Sequence, residues 1–289
     1  MKVAVLGAAG KMGKWLVQYF TNQGYTLTVF DVKREELKEL SKNYKVKIAK
    51  DNLEAVENAE LTIVSVPINK TVEVLQEICP KLKKGSIVVE IASVKEKIVD
   101  ALKDLSRLGV QPLSLHPLFG PVQKLKKKKI ALIPVFNVEK ELETAKRIFP
   151  DAEFVIVDAQ QHDRVMAATL SLPYFVNMVL ASTLKGEDFK ILEKLSGTTS
   201  TLQLTLVGGV MAQDLGLHVS LHIANKYALE YLNKFVSDAE KLRDLIKSGN
   251  MKDFKEFYGK VSESISKSLD LEVMYEKMYA ALEALQNCE

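Results

Sequence analysis

The stretch Val3-Ala4-Val5-Leu6-Gly7-Ala8-Ala9-Gly10-Lys11-Met12-Gly13 decides the fold. It reads as a short apolar strand, a turn of small residues and the start of a helix. Small residues are needed where a backbone must come close to a pyrophosphate, and the amides at the helix start then hold the anion. The spacing is G-x-x-G-x-x-G, one residue longer in the turn than the usual G-x-G-x-x-G, and Ala8 and Ala9 are small enough to keep the approach open. Gly7, Ala9, Gly10, Lys11, Met12 and Gly13 are therefore the expected cofactor contacts. A glycine string alone is weak evidence. It gains weight from the strand before it, the helix after it, and Asp31 at the end of a second strand over 26–30. An acid there accepts hydrogen bonds from the adenosine ribose hydroxyls, which favours NAD. Lys33 and Arg34 could pair with a 2′-phosphate instead, so NADP stays open. Val66 and Pro67 close a later strand at the same edge of the sheet.

Outward from this turn, strands and helices alternate to residue 157, which implies a mostly parallel, doubly wound Rossmann sheet covered on both faces. Beyond it, helical periodicity takes over. The expected division is a dinucleotide-binding domain over 1–157 and an all-helical substrate and dimerisation domain over 158–289. The apolar run from Val165 to Leu184 is about as long as a membrane span. Ser171, Pro173, Asn177 and Ser182 interrupt it, so a buried helix at a domain or subunit contact is expected. Such half-domains complete their core across a two-fold axis, which points to a homodimer.

The 289 residues suffice for two domains, and a hydrophobic fraction of 47% supports a real core. A net charge of +3 argues against a dedicated nucleic-acid binder. Two distant cysteines, Cys79 and Cys288, exclude a disulfide framework or a cysteine-built zinc site. Met1 is followed at once by a strand and no signal peptide is read, so a soluble, cytoplasmic protein is expected.

Two segments then fall at the carboxyl ends of later strands, where open α/β sheets bind ligands: Glu90-Ile91-Ala92-Ser93-Val94-Lys95 and Leu115-His116-Pro117-Leu118-Phe119-Gly120-Pro121. A histidine at a strand end, locked by a following proline, is placed to bind a substrate hydroxyl, and a nearby serine could orient it. His218 and His222 share a helix face but lack a third ligand, so ordinary polar helix residues are expected there rather than a metal pair.

At these residues the chain resembles the prephenate/arogenate dehydrogenases of tyrosine biosynthesis. Ala92-Ser93-Val94-Lys95 is similar to their (G/S)-S-V-K segment and His116–Pro121 to their H-P-M-F-G-P. His162-Asp163-Arg164 matches the H-D-(R/x) that opens their second domain, and Asn225-Lys226 a late N/D-K pair. Val66-Pro67-Ile68-Asn69 with Thr71 resembles their V-P-I-x-x-T. The resemblance covers essentially the whole chain. It implies oxidative decarboxylation of prephenate to 4-hydroxyphenylpyruvate, with a ring hydroxyl oxidised by hydride transfer to NAD. His116 would take the hydroxyl proton as a neutral base, Ser93 would hydrogen-bond both His116 and the hydroxyl, and His162 would wall the substrate pocket.

The match departs at two points. Thr201 stands where the family carries a carboxylate-clamping Arg, and Tyr174 where it carries a second His. A bidentate Arg suits a carboxylate better than a hydroxyl does. Arg164, Lys95, Lys226 and the Lys124–Lys129 loop are the candidate replacements, or else the substrate differs. Arogenate, with an amino group in place of the keto group, is the nearest alternative. A β-hydroxyacid dehydrogenase shares Gly10-Lys11-Met12-Gly13 but expects an S-G-G strand end, and a dinucleotide-binding dimer without catalysis would have no need of Ser93 and His116.

Overall fold

The computed structural model describes residues 1–121 and 128–287. Its chain packs into two compact units, Met1–Ala167 with Gly216–Tyr227, and Ala168–Leu215 with Ala228–Glu289. Cys288 and Lys124, Lys126 and Lys127 lie outside the described residues.

The first unit is built on an eight-stranded sheet among the described residues, in the order β3-β2-β1-β4-β5-β6-β7-β8. The strands are β1 (Lys2–Leu6), β2 (Thr26–Phe30), β3 (Val46–Ile48), β4 (Leu61–Val64), β5 (Ile87–Glu90), β6 (Gln111–Pro117), β7 (Lys128–Ile133) and β8 (Ala152–Ile156). β4 and β5 are buried at every position, as apolar strands covered on both faces must be. One face is covered by α1 (Lys11–Asn22), α2 (Arg34–Asn43) and α6 (Val138–Ile148), through Trp15, Phe20, Leu37 and Ile148. The other is covered by α3 (Asn52–Val56), α4 (Ile68–Ile78) and α5 (Glu96–Ser106), through Val56, Leu75, Ile78 and Leu102. Truncating a fully buried ring such as Phe20 to alanine costs about 3–5 kcal/mol, so these layers carry much of the unit's stability.

The sheet is parallel from β3 to β6, but β7 runs antiparallel to β6, with Ser114 opposite Ile133 and His116 opposite Ala131. The chain between them, 118–127, is shorter than the dozen or so residues a parallel crossover needs. The strand order reverses beside β1, since β2 lies on one side of it and β4 on the other. That reversal opens the crevice in which doubly wound sheets hold ligands.

The packing division differs from the expected boundary at residue 157. Helix α7 (Ala159–Met166) and most of α11 (Leu215–Ala224) belong with the sheet. The reason is polar: the Asp163 carboxylate accepts from the amides of Lys95 and Glu96, and the Asn225 side chain donates to the Asp163 carbonyl at 2.7 Å.

The second unit holds α8 (Leu172–Thr183), α9 (Phe189–Lys194), α10 (Thr198–Met211), α12 (Ala228–Ser248), α13 (Met251–Ser266) and α14 (Leu271–Gln286). Asn177 on α8 accepts from Gln203 on α10 at 2.8 Å, and Phe175 packs edge-on against Phe235 of α12. Helix runs from Ala159 to Thr183 through a π turn at Ala167–Ser171, just ahead of Pro173, which has no N–H for the ladder. By length and composition this helix could cross a membrane, yet only 17% of its most apolar window is buried. The burial expected for it is therefore not supplied by the chain itself.

Candidate active site

The glycine turn follows directly from β1. Gly7 has φ +80°, and a Cβ there would lie 2.2 Å from the Ser65 carbonyl oxygen at the end of β4. A Cβ on Gly13 would lie 2.1 Å from the Gly7 carbonyl oxygen. Both positions must be glycine for helix α1 to start this close to the strand. Gly10 caps α1 with no side-chain hydrogen bond. First-turn amides of a helix have no partner within it. Met12 packs on the core and Lys11 is exposed beside the turn. Val66 is half-buried past the end of β4, and Pro67 starts α4.

Asp31 has a second task that the sequence did not reveal. Its Oδ2 accepts from the Ala9 amide at 3.0 Å and its Oδ1 from the Lys33 amide at 2.9 Å, so it holds the glycine turn in shape. The cations that could favour a 2′-phosphate are engaged elsewhere. Arg34 lies 4.7 Å over the Phe30 ring and donates to the Ala49 and Lys50 carbonyls, and Lys33 pairs with Glu36.

The catalytic candidate lies further along the sheet. His116 is the penultimate residue of β6 and is 6% exposed. Its Nδ1 is 2.9 Å from Nε2 of His162, whose Nδ1 is 2.8 Å from Oδ1 of Asp163. Asp163 in turn accepts from the Lys95 and Glu96 amides at 2.8 and 3.0 Å. Burial, then the positive charge of Lys95, then His162 hold the His116 imidazole well below its ordinary range, so it is neutral near pH 7. Its Nε2 has no hydrogen-bond partner among the described residues.

Behind the imidazole is a buried ion pair. Lys95 Nζ donates to Glu90 Oε1 at 2.6 Å and to the Leu115 carbonyl at 2.7 Å. Glu90 also accepts from Ser114 Oγ and from the Ala92 amide. Glu90 and Ser114 meet because they are register partners on β5 and β6. Burial pulls the Lys95 ammonium pKa down, and Glu90 opposes this. The segment after His116 is anchored through Phe119, whose ring meets Trp15 of α1 edge-on at 5.2 Å. Helix α1 thereby ties the glycine turn to the histidine.

Several expectations need revision. No Ser93–His116 hydrogen bond exists among the described residues; His116 Nδ1 is taken by His162, and Ser93 is half-buried on the β5–α5 loop. His162 is buried, with both ring nitrogens engaged by His116 and Asp163. Lys95 cannot clamp a substrate carboxylate, because its ammonium is sealed against Glu90. Lys226 pairs with Glu96 at 2.6 Å. Arg164 is exposed, with its guanidinium 5.6 Å over the Tyr227 ring. Tyr174 on α8 and Thr201 on α10 belong to the second unit and are half-buried there. Glu90, Asp163 and Asn225 received no role from the sequence. An acid immediately after a histidine was the one signal available for Asp163.

Fold and site together define a Rossmann-type nucleotide-binding protein with a buried histidine at the sheet's carboxyl edge. Comparison with known proteins narrows the class. Residues 17–158 match the sequence model of the prephenate dehydrogenase nucleotide-binding domain, and residues 158–260 that of the prephenate dehydrogenase dimerization domain. The chain belongs to the prephenate dehydrogenase family. The first match begins past the glycine turn, so that turn stands on its own geometry.

Among curated proteins, the chain is 24% identical to a probable arogenate/prephenate dehydrogenase of Methanocaldococcus jannaschii, over 88% of this chain and 58% of that protein. It is 25% identical to the T-protein of Haemophilus influenzae, over 76% of this chain and 55% of that protein. The chain thus spans somewhat over half the length of these relatives. Among solved structures, prephenate dehydrogenase from A. aeolicus, in complex with hydroxyphenyl propionate and NAD+, superposes with a TM-score of 0.73 at 18% identity, covering 92% of this chain and 98% of that one. Synechocystis arogenate dehydrogenase gives 0.66 at 18% identity, covering 93% and 100%. These likenesses establish the fold.

Proposed function

We propose that the chain is an NAD-dependent dehydrogenase that oxidatively decarboxylates prephenate to 4-hydroxyphenylpyruvate and works as a homodimer through its helical unit. The observation that carries this reading is a neutral, buried His116 at the carboxyl edge of a dinucleotide-binding sheet, with Nε2 open.

The glycine turn fits a dinucleotide. Gly7 and Gly13 leave the backbone bare where a pyrophosphate must approach, and the N-cap of α1 is a glycine that makes no side-chain hydrogen bond. Asp31 sits where ribose hydroxyls would reach it, and the engagement of Arg34 and Lys33 favours NAD over NADP. NAD, when bound, supplies the hydride acceptor. His116 Nε2 accepts the ring hydroxyl's hydrogen bond and then its proton as that carbon becomes a carbonyl. Loss of the ring carboxylate as carbon dioxide completes the aromatic ring. Ser93, on the loop that carries Lys95, is read as a second contact to the hydroxyl, and the exposed Arg164 as a cation for a substrate carboxylate.

Arogenate is the second reading, because Thr201 stands where the family resemblance places an Arg. The deciding assay follows reduced cofactor with purified protein, NAD or NADP, and prephenate or arogenate. Turnover of prephenate with NAD, reduced roughly 100-fold or more in His116→Asn while cofactor binding persists, is the expected result. Turnover of arogenate alone would replace the substrate. NAD binding without turnover of either would leave a non-catalytic dimer.

A further inference from the structure

We infer that His162 and Asp163 form a positioning relay that fixes His116 in the tautomer with a hydrogen on Nδ1 and a bare Nε2. The inference deepens the proposed reaction and rests on reading His116 as its proton acceptor.

Three groups lie in line, Asp163, His162 and His116. Asp163 already accepts from two amides, Lys95 N and Glu96 N, so its carboxylate acts as an acceptor throughout. The 2.8 Å contact from Asp163 Oδ1 to His162 Nδ1 therefore requires the hydrogen on the imidazole. With a single N–H on the His162 imidazole, that hydrogen is the one facing Asp163 and Nε2 is left as an acceptor. The 2.9 Å contact from His162 Nε2 to His116 Nδ1 then requires the hydrogen on His116 Nδ1. By the same count, His116 Nε2 is unprotonated and able to take a proton. A free imidazole prefers the opposite tautomer, with hydrogen on Nε2, which would point a donor at the substrate hydroxyl and disable the base.

The surroundings support a neutral His116. His116 faces Lys95 from the β5–α5 loop and His162 and Asp163 from α7, while Glu90 and Ser114 are held within the Lys95 pair. A protonated His116 would put a second buried cation beside Lys95. Asn225 steadies the far end by donating to the Asp163 carbonyl. Neither His162 nor Asp163 needs to touch substrate; each acts through His116. The logic parallels the aspartate that sets the histidine tautomer in serine proteases, where the wrong tautomer costs about 10⁴ in kcat.

The test is tautomer-resolved nitrogen NMR on uniformly ¹⁵N-labelled protein at neutral pH. The chain has four histidines, so the imidazole spectrum is sparse, and His116→Asn assigns the signal. The expected result is a His116 with Nδ1 protonated and Nε2 bare. In His162→Leu the same signal should move to the Nε2–H form, with kcat falling at least ~10-fold and KM for the dinucleotide within about twofold. In His162→Gln, whose side-chain oxygen can still accept from Nδ1, most of that loss should be recovered. Wild-type His116 protonated on Nε2, or His162→Leu with unchanged tautomer and kcat, would overturn the relay. Should the leucine variant not fold, the wild-type spectrum alone decides. Should wild-type protein turn over neither prephenate nor arogenate, the proposed reaction fails while the spectrum still tests the relay.

Discussion

His116 has no compensating anion in direct contact and a lysine close by, so its protonation is opposed in the folded state. Unfolded, a histidine titrates near 6.5. Below that value the unfolded chain binds a proton that the folded chain refuses, so stability is present above about pH 6.5 and is lost as pH falls toward the depressed folded value. The loss accrues at up to about 1.4 kcal/mol per pH unit. Urea midpoints compared between roughly pH 7 and pH 5 should show a steeper fall for wild type than for His116→Asn. Activity obeys the same sign: kcat/KM should be flat through neutrality and decline only well below pH 6.5. An acid limb centred near the ordinary histidine value would refute the buried-base description. Lys95 makes a separate prediction. Lys95→Met strands the Glu90 carboxylate in the sheet's edge and should cost roughly 3–5 kcal/mol in chemical denaturation, because an uncompensated buried charge remains. A cost below about 1 kcal/mol would mean that the ion pair contributes little to the fold.

At the scale of elements, the strand–turn–helix start separates folding from binding. Gly13→Ala drives a methyl to 2.1 Å from the Gly7 carbonyl oxygen, so α1 must move away from β1. The expected loss is about 1–3 kcal/mol together with dinucleotide binding. Gly10 is different: a Cβ there meets only Gly7 O at 3.4 Å, and its φ of −65° suits any residue. Gly10→Ala should cost less than about 1 kcal/mol while still weakening NAD binding, because the methyl projects into the pyrophosphate approach. Thermal melts with and without NAD distinguish the two, since only a binding-competent fold gains stability from ligand. Equal stabilisation of wild type and Gly10→Ala by NAD would place the pyrophosphate elsewhere.

For the whole molecule, the second unit leaves large apolar side chains open: Leu206 is 55% exposed, Ile246 63% and Leu229 64%. Scattered apolar residues on a surface are ordinary, but this many on one helical unit mark a contact surface. Residues 158–260 match the model of a dimerization domain, and the proposed occupant of that surface is a second copy. Sedimentation equilibrium at micromolar concentration should return twice the chain mass of 32.3 kDa. A monomer would require another cover for the Ala159–Thr183 helix, and detergent or vesicle binding would then be measured for it.

Local chemistry alone settled much of this protein. The apolar run of β1 with Gly7 and Gly13, the strand–helix alternation and the H-P-L-F-G-P segment marked a dinucleotide fold and its histidine, because each depends on neighbours within a few residues. What the sequence did not reveal depends on groups far apart in the chain. His116 and His162 are 46 residues apart, and Lys95 and Asp163 are 68 apart, so no spacing rule links them. The sequence proposed Ser93 as the partner of His116 because both end adjacent strands; the folded chain brought α7 in and seated His162 there instead. Asp31 read as a ribose acid, yet only the tertiary arrangement showed it bonded to the Ala9 amide. Lys95 read as a free cation until burial against Glu90 took it out of reach. Periodicity and turn chemistry are local and survive in one dimension, whereas hydrogen-bond partnership and burial exist only once the sheet and helices have closed around the site.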